Sequence, residues 1–243
     1  MAYKVGTMSR EEISRTALAQ NVRIILEGPP ELILPLALEE EVEVIWQQEK
    51  AKYNLYEGFV FSVSSYDETR IVGRFVHYRH YIASRQSPEL QEIMQIYPLG
   101  ISGLCICDKN VLVGIRDTKL ATYGGYYECV PSGSIEARAY MHGEVDFVAQ
   151  AMWELAEEAK IGEKKVQEVH TLGLYFSPQD GTYDLGLLLR VNLLETEMQD
   201  SDSPEYPLLQ WHTFADFKKK LSSPEVKIVP MSRVLWGHAS RNL

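Results

Sequence analysis

The chain has 243 residues, 45% hydrophobic and 24% charged, a balance that suits one large folded domain or two modest ones. A formal net charge of −10 argues against binding a nucleic-acid backbone, which calls for a basic surface. Three cysteines, an odd number, set no disulfide framework, and no apolar run approaches the roughly 20 residues of a membrane span.

Residues 1–20 mix Arg, Glu and Ser and read as a weak helix or a mobile arm. They lack the apolar run of a secretory signal, so the cytoplasm is the expected location. Val22 to Leu26 read as a strand closed by Gly28-Pro29-Pro30, and Leu36 to Lys52 as a helix whose run Glu39–Glu41 is its wet side. Phe59 to Val63 and Ile71 to Val76 read as strands joined around Asp67-Glu68, with a short helix over Ser87 to Gln95. Residues 21–96 therefore form a small α+β lobe, and 97–243 a second domain. That domain opens with a hairpin, Gly103 to Cys107 and Val111 to Ile115 about the turn Asp108-Lys109-Asn110. Cys105 and Cys107 alternate on one strand face and read as buried thiols in preference to metal ligands. Further strands follow at Val166–Phe176, Tyr183–Leu194 and Pro207–His212, with helices at Phe214–Leu221 and Met231–Ala239. Strands and helices in this order suit an α/β/α sandwich around a mixed β-sheet.

Between these strands, a turn at Val130-Pro131-Ser132-Gly133 precedes a helix carrying Glu154, Glu157 and Glu158. At about 100° per residue, Glu158 lies near +40° and Glu157 near −60° of Glu154, while Val145, Val148, Ala149, Met152, Leu155, Ala156 and Ala159 take the opposite side. Glu154 and Glu158 repel as an i,i+4 pair, and all three acids oppose the helix dipole near its C-terminus. A divalent cation removes both penalties. A solvated acidic face relieved by Lys160, Lys164 and Lys165 is the structural alternative.

These residues resemble the signature of the Nudix hydrolases, Gly-x5-Glu-x7-Arg-Glu-U-x-Glu-Glu-x-Gly-U with U bulky and aliphatic. Trp153 to Ile161 fills its second half with all three glutamates, Val130 to Glu136 is similar to its leading turn, and Gly143-Glu144 to its Gly-Glu. The departures are ten residues between Gly133 and Glu144 where the pattern has five, one residue too many between Glu144 and Trp153, Trp153 in place of Arg, and Lys160 in place of the second Gly. Gly162 is positioned to replace that Gly at the helix end. The order of segments, with Tyr78-Arg79-His80-Tyr81, Tyr97 to Ser102 and Val111 to Arg116 ahead of the turn, is similar to the UDP-sugar hydrolases of this family.

The resemblance implies a Nudix fold behind a small N-terminal lobe, and Mg²⁺-dependent (or Mn²⁺-dependent) hydrolysis of a nucleoside diphosphate sugar, UDP-glucose or UDP-galactose first. It implies Glu154, Glu157 and Glu158 as catalytic and metal-binding residues, with the Ser132 carbonyl and Glu144 as further ligands. Glu157 or a later carboxylate (Glu195, Glu197 or Asp200) is the candidate general base. Arg116, Tyr78 and Arg79 are candidate substrate contacts, each equally readable as a structural residue. The implied partner is a small nucleotide, not nucleic acid or membrane; oligomeric state is left open. The rival readings are hydrolysis of another nucleoside diphosphate derivative, such as ADP-ribose or a dinucleotide, and a catalytically weak nucleotide-binding module.

Overall fold

A computed structural model describes residues 3–4, 12–27, 33–53, 55, 57–241 and 243. In chain order the elements are β1 (Tyr3–Lys4), β2 (Ser14–Thr16), β3 (Arg23–Leu26), α1 (Leu36–Lys50), β4 (Phe59–Tyr66), β5 (Arg70–His77), α2 (Tyr78–Gln86) and α3 (Pro88–Met94). There follow β6 (Leu99–Cys107), β7 (Asn110–Ile115), β8 (Tyr127–Cys129), β9 (Ser132–Ser134), β10 (Tyr140–Met141), β11 (Glu144–Val145) and α4 (Phe147–Ala159). The chain closes with β12 (Val166–Ser177), β13 (Thr182–Val191), β14 (Leu208–Thr213), α5 (Phe214–Ser222) and α6 (Pro230–Ala239).

Two mixed sheets result, confirming the expected α+β class with a mixed sheet between helices. One runs β1-β4-β5-β3-β11-β10; the other runs β14-β7-β6-β13-β12-β2, with β8 on β7 and β9 on β6. The parallel pairs are β3 with β5 and β6 with β13. Alternation along β6 sorts the second sheet into two faces. Leu99, Ile101, Cys105 and Cys107 share a core with Ala151 and Leu155 of α4, while Leu104 and Ile106 share another with Leu235 and Trp236 of α6. The cysteines are free and buried, and burial pushes the Cys105 thiol upward. No helix among the described residues is long and apolar enough to cross a membrane.

Several local expectations change. Within residues 1–20, Ser14–Thr16 is a strand on β12, where Arg15 donates to the Leu172 carbonyl (2.6 Å from Nη2) and Gln20 to that of Thr171 (2.9 Å). So short a strand has no periodicity to read; the free edge of β12 creates it. Gly28-Pro29-Pro30 lies outside the described residues. The sheets also trade segments across the expected lobe boundary. β10 and β11, from the second half of the chain, extend the first sheet through β3, and Val22, Ile24 and Phe61 share one core with Leu99, Val145 and Leu155. Residues 78–86 fold as α2, which the run of Tyr, Arg and His at its start did not reveal.

Candidate functional site

Helix α4 starts where the Asp146 side chain accepts a hydrogen bond from the Ala149 N–H (2.9 Å), satisfying one free donor of the first turn. It ends in a left-handed residue at φ 59°, but that residue is Lys160 itself; Gly162 sits at φ −77°, so it does not replace the missing glycine at the helix end. The buried side chains are Phe147, Gln150, Ala151, Met152, Leu155, Glu158 and Ala159. Val148 and Ala156 are exposed, so the helix is rolled relative to the sequence reading. The roll turns the row Gln150, Glu154, Glu158 inward, and only Glu157 keeps a solvated position. Glu158 is 4% exposed, which contradicts a purely wet acidic face.

The leading turn meets this row. Gly103 N–H donates to Pro131 O (2.7 Å) and Ile135 N–H to Leu99 O (3.0 Å). Alternation in the antiparallel ladder therefore turns the N–H and carbonyl of Ser132 away from β6. That N–H donates to Glu158 Oε2 at 3.2 Å, and the Ser132 carbonyl faces the same side. At Gly133 a Cβ would lie 2.3 Å from the carboxylate carbon of Glu154, so only glycine lets the acid settle there. Gln150 Nε2 donates to Glu154 Oε1 at 2.7 Å. Burial is the main force on both acids, reinforced by each other's charge or that of neighbouring carboxylates. It pushes Glu154 up to about 7 and Glu158 well above the usual carboxylate range.

Sequence reasoning missed the next group inward. Glu128, 6% exposed, accepts from the Arg116 guanidinium, from Tyr206 Oη (2.6 Å) and from Ser132 Oγ (3.2 Å). Its charge and that of Glu205 act on Glu158. Burial raises Glu205 as well, against the pull of Arg116. Neither acid carries a spacing signal, since Tyr206 is 78 residues from Glu128.

Other expected site residues go elsewhere. Arg116 is committed to Glu128 and to the Thr122 carbonyl (3.2 Å), making it a support of the site instead of an open phosphate grip. Glu144 belongs to the first sheet, where Arg23 Nε donates to it at 2.9 Å, so the carboxylate cluster forms without it. Tyr78 packs edge-on to Trp46, and Arg79 pairs with Glu39 (3.2 Å) and Glu43 (3.5 Å) of α1. Glu197 is tied to Lys165 (2.7 Å) and Asp200 to Gln210 (2.9 Å). A recess of about 760 Å³ past the end of α4 is lined by Lys160, Lys164, Gln199 and Trp211, and none of Glu128, Glu154 and Glu158 borders it.

Among the described residues no three His, Cys, Asp or Glu side chains are grouped as a complete metal-ligand set. The donor chemistry nonetheless fits Mg²⁺, which characteristically takes one or two carboxylates and fills its octahedron with water and substrate phosphate. Two desolvated carboxylates, a backbone carbonyl on the same side and a cradle that a Cβ would fill are such a partial set. Gly133→Ala is accordingly expected to leave the fold intact, because the clash falls on the flexible end of Glu154, yet to displace that carboxylate. Thermal melting should move by no more than about 4 °C, while the affinity for Mg²⁺, followed by titration calorimetry, falls roughly ten-fold or more. An unchanged Mg²⁺ affinity would show that Glu154 is not a ligand.

No family model matches the chain, and no curated protein matches it. Solved structures to which it is similar include a MutT protein from Methanosarcina mazei Go1, at 15% identity over 60% of this chain and 94% of that one, with a TM-score of 0.43. A mutT/nudix family protein from Listeria innocua has 15% identity over 59% and 91%, with a TM-score of 0.42. An Ap4A hydrolase from C. elegans has 18% identity over 58% and 96%, with a TM-score of 0.39.

Proposed function

We propose that this chain is a Mg²⁺-dependent pyrophosphohydrolase of the Nudix type that cleaves the diphosphate of a nucleoside diphosphate sugar, UDP-glucose or UDP-galactose first. The observation that carries the reading is the pair of buried Glu158 and half-buried Glu154, set between the Ser132 N–H and a glycine that leaves room for nothing else. Keeping two like charges out of water four residues apart is costly without a counter-charge. The resemblance in segment order supports the sugar nucleotide.

Glu154 and Glu158 would hold the cation, with the Ser132 carbonyl as a third oxygen. Bound there, the cation supplies charge neutralisation at phosphate oxygens and a lowered pKa for attacking water. Gln150 and the Ser132 N–H orient the two carboxylates. The Arg116–Glu128–Tyr206 group fixes Ser132 from behind. Glu157, on the wet flank, is placed to accept the proton of the water whose oxygen attacks phosphorus. The anhydride P–O bond then breaks, and nucleoside monophosphate and sugar 1-phosphate leave.

The products test the bond cleaved. With UDP-glucose and Mg²⁺, ³¹P NMR should show UMP and glucose 1-phosphate in equal amounts. UDP with free glucose would refute diphosphate cleavage. Faster turnover of ADP-ribose or a dinucleoside polyphosphate would keep the chemistry and replace the substrate.

A further inference from the structure

Arg138 lies in the 3-10 turn Ala137–Ala139, inside the inserted segment ahead of α4. Its guanidinium stacks over the Trp153 ring at 4.8 Å, with Nε 2.8 Å from Glu136 and Nη2 3.1 Å from Glu157 Oε1. The turn beneath it is pinned to the same helix. Asp146 N–H donates to Ala139 O (2.8 Å), and Glu136 N–H donates to Gln150 Oε1 (3.3 Å), the amide whose nitrogen holds Glu154. Trp153 is half-buried against the main core, so its ring is a fixed platform. A guanidinium placed over that ring and paired with two carboxylates has its position fixed from three sides.

We propose that Arg138 is a positioning residue for the carboxylate site, holding Glu157 on the outer flank of Glu154 from a turn outside α4. The proposal rests on the function proposed above. Stability is not the reason for the arrangement, because Arg138 and Glu157 are 43% and 59% exposed and such pairs contribute little to folding. What the clasp supplies is orientation. Unheld, Glu157 would sample the rotamers open to an exposed helix position.

The test compares wild type, Arg138→Ala and Arg138→Lys in three measurements: Mn²⁺ binding by electron paramagnetic resonance without substrate, steady-state kinetics on UDP-glucose with Mg²⁺, and thermal melting. Arg138→Ala should lower kcat by roughly ten-fold and leave Mn²⁺ affinity within about two-fold, because Glu157 is not among the cation's ligands. KM should stay within about two-fold and the melting temperature within about 2 °C. Lysine, which restores the charge but not the planar fork, should recover only part of kcat. Unchanged kcat in Arg138→Ala, beside a working wild type, would overturn this proposal alone, and so would a loss of Mn²⁺ affinity as large as the loss of kcat. A parallel loss of melting temperature that accounts for the loss of activity would overturn it too. A wild type that neither binds Mn²⁺ nor hydrolyses UDP-glucose would overturn it together with the function it rests on.

Discussion

Stripped of divalent cations, the protein is expected to lose stability as pH rises from about 5 to about 8, and Mg²⁺ is expected to restore it at the alkaline end only. Burial raises the carboxyls of Glu154 (to about 7) and Glu158 (well above its usual range) over their unfolded values. An acid whose folded pKa is raised favours the folded state while protonated. Its contribution is complete below the unfolded pKa and is lost as pH climbs through the folded one. Burial also raises Asp184, to about 6, and it adds in the same direction. Asp67 acts oppositely, but it titrates near 2, below this window. Burial lowers His80, His212 and His238, which oppose the trend inside it. They are common to wild type and Glu158→Gln, so the difference in slope isolates the glutamate. A shift from 4.5 to about 7 at one carboxyl corresponds to on the order of 3 kcal/mol. Thermal melts in EDTA and in Mg²⁺ across this range would show it. In Glu158→Gln the slope should flatten and the Mg²⁺ effect shrink. A melting temperature flat in pH and indifferent to Mg²⁺ would mean that neither acid is held as described.

Arg116→Met is expected to be the most damaging single change outside the apolar cores. Arg116 and Glu128 have side chains only 13% and 8% exposed, so removing the guanidinium strands a buried carboxylate. Breaking a buried pair from one side costs about 3–5 kcal/mol. Tyr206 Oη still donates to Glu128 at 2.6 Å and softens the loss without replacing the charge. Urea unfolding should give that deficit, and adding Glu128→Gln should recover more than half of it. A loss under about 1 kcal/mol, or no recovery in the double variant, would show that water reaches Glu128.

What the sequence disclosed follows from the range of each interaction. Helix α4, the turn ahead of it and strands β6, β7, β12, β13 and β14 are local patterns, and all are legible; β2, β8 and β9 are too short to be. Cys105 and Cys107 followed their alternation into the core. The roll of α4 was not legible, because Val148 and Glu158 compete for the core and only the contacts of Ser132 with Glu158, Gly133 with Glu154 and Glu136 with Gln150 decide between them. Glu144 has the local look of a ligand, yet Arg23, 121 residues earlier, takes it through pairing of β3 with β11. Arg116 looked like a strand-end cation until Glu128 enclosed it. Arg138 carried no signal in a segment whose length matched no pattern, although the structure sets it against the ring of Trp153, the residue that departs from the resembled motif. Spacing along the chain thus exposed the acids on one helix and concealed everything that holds them in place.

The proposed function requires that Glu158 and its partner Glu154 bind the cation that makes diphosphate hydrolysis possible. It is tested most directly by turnover of UDP-glucose in wild type and Glu158→Gln across a Mg²⁺ titration. Hydrolysis should be absent in EDTA and saturable in Mg²⁺ for the wild type, and lowered about a thousand-fold or more in the variant, at a melting temperature equal to or above that of the wild type. Turnover by Glu158→Gln within a few-fold of wild type, or turnover in EDTA, would contradict it.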